Sequence, residues 1–373
     1  MEFPRPRPFL GFGARGFSEN GAQRKKPRPR VEGGLRDLAP GRQALPPVIT
    51  AFCPLRITLG GGGTDLPSYY RRHGGFLVAA AIKPGVWVSV RERGDGAFLL
   101  KGETMERAAR LEDLRHPIVR EALRSLDFSR GKGLEITCRS KVSSGTGLGS
   151  SGSFTAALLL ALHRLRGRRP SARRVAEEAC RLSLERLKEP VGKQDPYACA
   201  FGGLRAWTFH RDGAVASRAV RLAPGGADEL QKRFLLFFTG IRRSASAILA
   251  GQDRRSRRGE RAVSENLHGV KRLGQRSLKA LEAGDLRGLG ALLDEQWAFK
   301  IRRSPEATSP GIEHWLRAGK DAGAWGGNLL GAGGGGFLLF LCANPGRVRR
   351  AMASEGLREL RFRFDFEGAR SEP

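Results

Sequence analysis

The sequence predicts a two-lobed enzyme of the α/β or α+β class, with a cleft between the lobes. Strand-like apolar runs and helix-like stretches occur in both halves of the chain, which is typical of mixed architectures. The length of 373 residues and the 40% content of hydrophobic residues suffice for two lobes with proper cores. No internal repeat is found at the periods of solenoid proteins. A wholly disordered chain and a repeat array are therefore excluded.

Residues 1–47 differ in composition from the rest of the chain. They are rich in Pro, Lys and Arg and show neither helical nor strand periodicity. Such a composition cannot offset the entropy cost of ordering the backbone. We expect a disordered basic tail here. A basic arm that binds a partner and an over-extended start of translation are the alternatives.

From Ile49 onward, short apolar runs separated by glycines predict strands in ITAFCPLRITL, GGFLVAAAI and VWVSV. A further strand is predicted over residues 134–142. It leads into a Gly/Ser loop and then into the apolar helix FTAALLLALHRL. The next helix is predicted over residues 172–189 and begins after Ser171, which has the side chain of a helix cap.

The second half opens with the apolar strand FLLFF at Phe234–Phe238. Helices are predicted around residues 264–283 and 286–299, and the glycine run NLLGAGGGGFLLFLC follows them. The two halves are thus built from the same kinds of element, which supports the two-lobed prediction.

The net charge of +29 is the strongest feature of the composition, and it allows two interpretations. A basic chain can bind nucleic acid. The arginines here are spread through helices and loops without interleaved aromatic residues, which a single-strand groove would need for base stacking. We therefore expect no specific nucleic-acid partner.

Features of other protein classes are weak or missing in the sequence. The five cysteines are widely spaced, and no C-x-x-C pair is present, so neither a zinc ribbon nor a disulfide framework is expected. The apolar runs are about a third of the roughly 20 residues of a membrane span. We expect a cytoplasmic protein without a membrane segment.

The loop SSGTGLGSSGS, residues 143–153, is the most informative motif. Its glycines permit a tight turn close to a ligand, and the following helix directs free N–H groups and the positive end of its dipole at the loop. Polyphosphate suits such a site, and the hydroxyls of Ser150 and Ser151 are suited to a phosphate oxygen or to magnesium. A flexible surface turn is the alternative.

Three strings carry a family resemblance: PLRITLGGGGTDLPSYY (residues 54–70), GTGLGSSGSF (145–154) and LLGAGGGGFLLF (329–340). They resemble, in order, the motifs of the GHMP small-molecule kinases. VGKQDPYACAFGG (191–203) and FTGIRRSASAIL (238–249) are similar to the D-glycero-D-manno-heptose 7-phosphate kinase branch. The resemblance implies an α+β fold with a ribosomal S5 domain 2-like N-terminal lobe, residues 48–225, and a ferredoxin-like C-terminal lobe, residues 226–373.

The resemblance also implies roles for individual residues. Asp195 matches the catalytic base, and Arg56 matches the basic residue that holds it ionised. The ATP-binding residues implied are Ser143, Gly145, Gly147, Leu148, Gly149, Ser150 and Ser151. Magnesium is assigned to Ser151 and Glu185, and Glu185 as a solvent-exposed helix residue is the alternative. The substrate-binding residues implied are Gly63, Thr64, Asp65, Arg243, Gly333 and Gly334.

The implied activity is transfer of phosphate from ATP, with Mg²⁺, to the anomeric hydroxyl of a heptose 7-phosphate, giving the 1,7-bisphosphate. An L-fucokinase or galactokinase type of enzyme is the alternative, followed by a non-catalytic paralogue that binds ATP and sugar. A phosphorylated sugar needs a cationic seat away from the reacting hydroxyl. The candidates are Arg71, Arg243, Lys300 and Arg302, of which Arg243 best fits the resembled string. The sequence does not specify an oligomeric state.

Overall fold

The computed structural model describes residues 47–128, 133–243 and 245–372, with the side chains of residues 245–247 left out. The tail predicted over residues 1–47 lies outside this description except for its last residue. The described strands are Ile49–Gly60 (β1), Gly75–Arg93 (β2), Phe98–Lys101 (β3), Met105–Ala108 (β4), Gly133–Ser140 (β5), Leu204–Phe209 (β6), Val215–Ala219 (β7), Phe234–Phe238 (β8), Ala324–Leu329 (β9), Phe337–Cys342 (β10), Arg358–Glu359 (β11), Arg363–Phe364 (β12) and Arg370–Glu372 (β13).

The helices are interspersed with these strands. They are Pro67–His73 (α1), Pro117–Ser125 (α2), Ser150–Leu165 (α3), Ala172–Arg181 (α4), Gln194–Phe201 (α5), Gly226–Arg233 (α6), Ala245–Arg257 (α7), Arg261–Ala283 (α8), Leu286–Arg303 (α9), Pro310–Asp321 (α10) and Pro345–Ser354 (α11). Short 3-10 turns cover Leu111–Asp113 and Pro305–Ala307, and a π-helical turn covers Leu182–Arg186.

The first sheet is built around β2, which pairs antiparallel with β1, β5, β6 and β12. Along its main path the order is β13-β1-β2-β5-β3-β4, and only β3 and β5 run parallel. The separately predicted strands GGFLVAAAI and VWVSV are one continuous strand, β2. A register shift opposite Pro54 and Leu55 accommodates Lys83 and Pro84. Apolar side chains of β1 and β2 form the centre of the main core.

Helix α3 crosses this sheet and packs on β1 and β2. Residues 156–162, AALLLAL, are all buried, as expected of a helix that is apolar on every side. Its first turn therefore has a fixed position at the edge of β1, which is important for the loop that precedes it.

The second sheet has the order β11-β8-β10-β9, with all pairs antiparallel. Trp297 of α9 and Ile312 of α10 pack against its core together with Phe340 of β10. Helix α8 lies beside α9 and reaches the first sheet, where a Cβ on Gly60 would come within 2.4 Å of the Ser277 hydroxyl. The close approach of α8 to β1 brings α9 to the same edge of the first sheet as α3.

The chain returns to the first sheet at its end. The fully buried Asp365 receives hydrogen bonds from the Gly368 amide at 2.8 Å and from Arg370 at 3.1 Å. Strands β12 and β13 on either side of it pair with β2 and β1. Residues after 226 thus contribute two strands to the first sheet, and the lobe boundary at residues 225/226 stays a prediction.

The two-lobed α+β prediction is confirmed. The predicted strand over residues 134–142 and the helices over 264–283 and 286–299 are present as β5, α8 and α9, with ends shifted by a few residues. Ser171 caps α4 by accepting from the Arg174 amide at 3.3 Å, as predicted. No helix in the described part of the chain combines the length and apolarity needed to cross a membrane.

Candidate functional site

The candidate site is a cavity of about 360 Å³ at the edge where β1, α3, α5 and α9 meet. Four parts of the chain form most of its walls: the end of β1 and the turn after it, the Gly/Ser loop with the first turn of α3, the segment 189–196, and the polar face of α9 beside the glycine run. A few residues of α4, the π-helical turn, α7 and α8 complete the lining. Three of the sequence motifs therefore converge on one space.

The Gly/Ser loop is fixed on both sides. Gly145, Gly147 and Gly149 have φ values of 74°, 82° and 78°, a region that favours glycine. A Cβ on Gly147 would lie 2.6 Å from the Leu330 carbonyl oxygen, and one on Gly336 would lie 2.3 Å from the Thr146 carbonyl oxygen. The loop thus packs directly on the turn that links β9 to β10, and a flexible surface turn is not what the structure shows.

The start of α3 opens into the cavity. Gly149 is the residue before the helix, and Ser150, Ser151 and Gly152 of the first turn line the cavity wall. The unpaired N–H groups of a first turn and the helix dipole favour a bound anion. Leu148 is fully buried, and the Ser143 hydroxyl accepts a hydrogen bond from Arg242, so neither side chain lines the cavity.

Arg56 joins the loop to Asp195. Its Nη1 donates to the Gly147 carbonyl at 2.6 Å, and its Nε donates to Asp195 Oδ1 at 2.8 Å. Arg56 is 4% exposed, whereas the Asp195 side chain is 32% exposed and borders the cavity. The buried guanidinium compensates the charge of Asp195 and fixes the position of the Asp195 carboxylate beside the Gly/Ser loop.

Gln194 orients the same carboxylate. Its Nε2 donates to Asp195 Oδ1 at 3.2 Å, and its Oε1 accepts from the Thr58 hydroxyl at 3.0 Å. Its backbone amide donates to Asp65 Oδ2 at 2.9 Å. Gln194 thus connects the two carboxylates of the cavity.

Asp65 is 6% exposed and lines the cavity. The Gly63 amide donates to its Oδ1 at 3.1 Å. Burial raises the pKa of Asp65, and the charge of Asp195 acts in the same direction, while the two amide donors oppose them. Thr64 is fully buried and its hydroxyl bonds the backbone of Gly61 and Phe76, so Thr64 holds the turn and does not line the cavity.

The polar face of α9 supplies three side chains: Gln296, Lys300 and Arg303. Gln296 accepts from the Gly61 amide at 3.0 Å, Lys300 donates to the Leu329 carbonyl, and Arg303 donates from Nε to Gln252 at 3.0 Å. Sequence reasoning considered Lys300 and missed the other two. Their spacing of four and three residues, which places polar side chains on one face of a mostly apolar helix, was the available signal.

Other predicted site residues lie elsewhere. Glu185 is exposed on the π-helical turn and does not line the cavity, whereas Glu189, four residues later, does. Burial raises the pKa of Glu189. Arg243 is exposed and does not line the cavity. Gly333 and Gly334 pack on Ala307 and on Arg243, and Gly331 takes their place in the cavity wall.

Two family models match the chain in sequence. The GHMP kinase N-terminal domain matches residues 117–203, and the GHMP kinase C-terminal domain matches residues 277–357. The chain is a GHMP kinase. Kinases of this family take phosphate from ATP.

Two individual relatives indicate which members of the family the chain resembles. The chain is 27% identical over 333 residues to the D-glycero-alpha-D-manno-heptose 7-phosphate kinase of Campylobacter jejuni, which covers 85% of this chain and 97% of that protein. It is 25% identical to the L-fucokinase/L-fucose-1-P guanylyltransferase of Bacteroides fragilis, over 85% of this chain and 37% of that one. This GHMP kinase is thus related to heptose phosphate kinases.

Solved structures agree on the fold. A D-glycero-D-manno-heptose 1-phosphate kinase from Bacteroides thetaiotaomicron superposes with a TM-score of 0.71 at 22% identity, covering 87% of this chain and 99% of that one. A putative sugar kinase from Campylobacter jejuni superposes with a TM-score of 0.67 at 25% identity, covering 87% and 98%.

Proposed function

We propose that this GHMP kinase transfers the γ-phosphate of ATP to the anomeric hydroxyl of D-glycero-D-manno-heptose 7-phosphate and forms the 1,7-bisphosphate. The observation that carries the proposal is the Arg56–Asp195 pair beside the loop at the start of α3. Similarity to a heptose 7-phosphate kinase along 97% of that protein supports the choice of sugar.

Asp195 is proposed as the general base. Its Oδ1 is occupied by Arg56 and Gln194, and Oδ2 receives no hydrogen bond from any described residue. Oδ2 is therefore available to accept the proton of the sugar hydroxyl as its oxygen attacks phosphorus. The Arg56 guanidinium stabilises the negative charge that develops between the loop and Asp195.

The loop and Asp65 are proposed to position the two substrates. The first-turn amides of α3 bind the phosphates of ATP, together with the backbone at Gly145, Gly147 and Gly149. Asp65 accepts hydrogen bonds from sugar hydroxyls, since a carboxylate with two amide donors still has free lone pairs. In this proposal the sugar lies between Asp65 and Asp195.

The oxygen donors present fit Mg²⁺. The Ser151 hydroxyl is exposed in the first turn of α3, and the half-buried Glu189 carboxylate lines the same cavity. When bound, Mg²⁺ neutralises charge on the transferred phosphate. We propose Ser151 and Glu189 as its protein ligands, because Glu185 lies outside the cavity.

L-Fucose is the second candidate acceptor, because a fucokinase is among the relatives at 25% identity. A non-catalytic role receives no support from the site, since Asp195 and Arg56 are both present and paired.

The test is ADP release with ATP and Mg²⁺ against D-glycero-D-manno-heptose 7-phosphate, free heptose, L-fucose and galactose. Turnover on the 7-phosphate that is lost in Asp195→Asn supports the proposal. Preference for an unphosphorylated sugar contradicts the choice of heptose 7-phosphate and leaves the kinase activity. ATP binding without turnover on any sugar contradicts the catalytic role.

A further inference from the structure

Two buried cations in the cavity lack a counter-charge. Lys300 and Arg303 are 8% and 7% exposed, and both line the cavity. Arg303 donates to two neutral amides, Gln252 at 3.0 Å and Asn266 at 2.8 Å. Lys300 donates to a backbone carbonyl. Within the described residues, no carboxylate lies within 4 Å of the charged nitrogens of either side chain.

Such an arrangement is costly in the free protein. Buried charges are ordinarily paired, because transfer out of water costs several kcal/mol for each ion. Burial lowers the pKa of Lys300 to about 7 and that of Arg303 to about 10, and neighbouring cations add to both effects. The third cation of the cavity, Arg56, differs because it is paired with Asp195.

Lys300 and Arg303 approach different parts of the cavity wall. The charges of Arg303 and Arg56 lower the pKa of Lys300, and the charge of Arg255 on α7 lowers the pKa of Arg303. Lys300 donates to the Leu329 carbonyl at the start of the glycine run, whereas Arg303 lies beside the turn that follows β1. The Arg303 Nη2 lies 3.5 Å from the position of a Cβ on Gly63.

The Nη2 group of Arg303 is also available to a ligand. Nε and Nη1 are used by Gln252 and Asn266, and Nη2 donates to no acceptor in the described part of the chain. Gly63 has no side chain to fill the space beside it, and the amide of Gly63 donates to Asp65. An anionic group on a sugar held by Asp65 would therefore lie next to Arg303.

We propose that Arg303 and Lys300 form the seat of a phosphate monoester that the sugar carries away from the hydroxyl to be phosphorylated. This inference rests on the proposed sugar kinase function. A phosphate monoester carries about 1.5 to 2 negative charges at neutral pH and so balances both cations. A carboxylate would balance one. The seat thus selects phosphorylated sugars, and it replaces Arg243, which lies outside the cavity.

The test compares kcat/KM for D-glycero-D-manno-heptose 7-phosphate with kcat/KM for free heptose in wild type and Arg303→Met. We expect the ratio to fall by about 10- to 100-fold, because the phosphate loses a charge-assisted hydrogen bond. Arg302→Met is the matched control, since Arg302 is the preceding residue of α9 and is exposed. Its ratio should equal that of wild type. An unchanged ratio in Arg303→Met overturns the inference.

A second variant covers the case in which Arg303→Met fails to fold. Arg303→Lys keeps the charge and loses the guanidinium contacts to Gln252 and Asn266, and its ratio should fall by roughly 3- to 10-fold. If Arg303→Met does not fold and Arg303→Lys keeps the wild-type ratio of kcat/KM values, the inference is overturned. D-Mannuronate is included as the carboxylate probe, and a preference for it over the 7-phosphate also overturns the assignment of a phosphate seat.

A binding measurement distinguishes failure of this inference from failure of the proposed function. If wild type phosphorylates no sugar, the function fails, and calorimetric titration with the 7-phosphate and with free heptose still reports on the seat. Tighter binding of the 7-phosphate that is lost in Arg303→Met and kept in Arg302→Met supports the seat without turnover. Equal binding of the two sugars to wild type overturns it.

Discussion

Arg56 donates from Nε to Oδ1 of Asp195 at 2.8 Å, and its Nη2 forms an ion pair with the same oxygen at 2.7 Å. Its third nitrogen, Nη1, bonds the Gly147 carbonyl at 2.6 Å. The buried guanidinium of Arg56 thus links the Gly/Ser loop to Asp195 and contacts one oxygen of that carboxylate. The other oxygen faces no protein donor in the described residues, which is the arrangement that a general base requires.

Asp195→Asn tests this relationship directly. We expect kcat to fall by about 10²- to 10⁴-fold, because an amide cannot accept the proton, and the melting temperature to fall as well, because the buried Arg56 loses its counter-charge. Steady-state kinetics and thermal unfolding give the two quantities. Asp321→Asn, at the exposed end of α10, is the matched control and should keep wild-type kcat. A kcat for Asp195→Asn within threefold of wild type would assign the base to another group.

Gly147→Ala tests the contact between the loop and the β9–β10 turn. The new Cβ would lie 2.6 Å from the Leu330 carbonyl oxygen at a residue with φ of 82°. Backbone must move, so we expect KM for ATP to rise by roughly tenfold or more and stability to fall by about 2 kcal/mol. Kinetics with varied ATP and denaturant unfolding measure these changes.

Gly167→Ala is the control for the backbone conformation alone. Gly167 has φ of 70°, and no atom lies within 4 Å of the position that its Cβ would take. We expect about 1 kcal/mol of destabilisation and an unchanged KM for ATP. If both variants change KM equally, the packing of the loop on the turn does not determine nucleotide binding.

The fold was predictable because its signals are local. The apolar runs that become β1, β2 and β8 have strand composition, and the glycine motifs require backbone that only glycine adopts without strain. The pairing of Arg56 with Asp195, 139 positions apart, came from the family resemblance and from no local pattern. Gln194 and Arg303 were missed, since their partners lie on other elements.

The carboxylate proposed as a magnesium ligand differs between the sequence prediction and the structure because of a local irregularity in the helix. A regular helix over residues 172–189 was expected, with Glu185 on its last turns. The structure instead ends α4 at Arg181 and inserts a π-helical turn over Leu182–Arg186. The helix ends after this turn, and Lys188, with φ of 52°, redirects the chain before Glu189. Glu185 becomes exposed, and Glu189 reaches the cavity.

Glu189→Gln and Glu185→Gln distinguish the two carboxylates. We expect Glu189→Gln to raise the Mg²⁺ concentration needed for half-maximal activity by about tenfold, because the neutral amide is a weaker ligand for a hard cation. Glu185→Gln is the matched control and should leave this concentration within twofold. Activity titrated with Mg²⁺ at saturating ATP and sugar measures both. The reverse pattern would place the metal at Glu185 and contradict the proposed pair of Ser151 and Glu189.

Lys300→Met tests the charge in the cavity through the pH dependence of stability. Since the pKa of Lys300 is about 7 in the folded protein and near 10.5 when unfolded, the unfolded state binds more protons between these values. The free energy of unfolding of the wild type therefore rises with pH across this window, and the cost of burying the charged lysine is largest below pH 7. The nearby cations Arg303 and Arg56 act in the same direction.

The variant removes this cost, so the difference in unfolding free energy, Lys300→Met minus wild type, should decrease from pH 6.5 to pH 9 by about 1 to 3 kcal/mol. Comparing the change across pH cancels the constant loss of the hydrogen bond to Leu329. Urea unfolding at both pH values supplies the four free energies. Lys279→Met, at an exposed lysine of α8, should show no such change. A pH-independent difference for Lys300→Met would mean that Lys300 is not buried as a lone cation, which would also remove one half of the proposed phosphate seat.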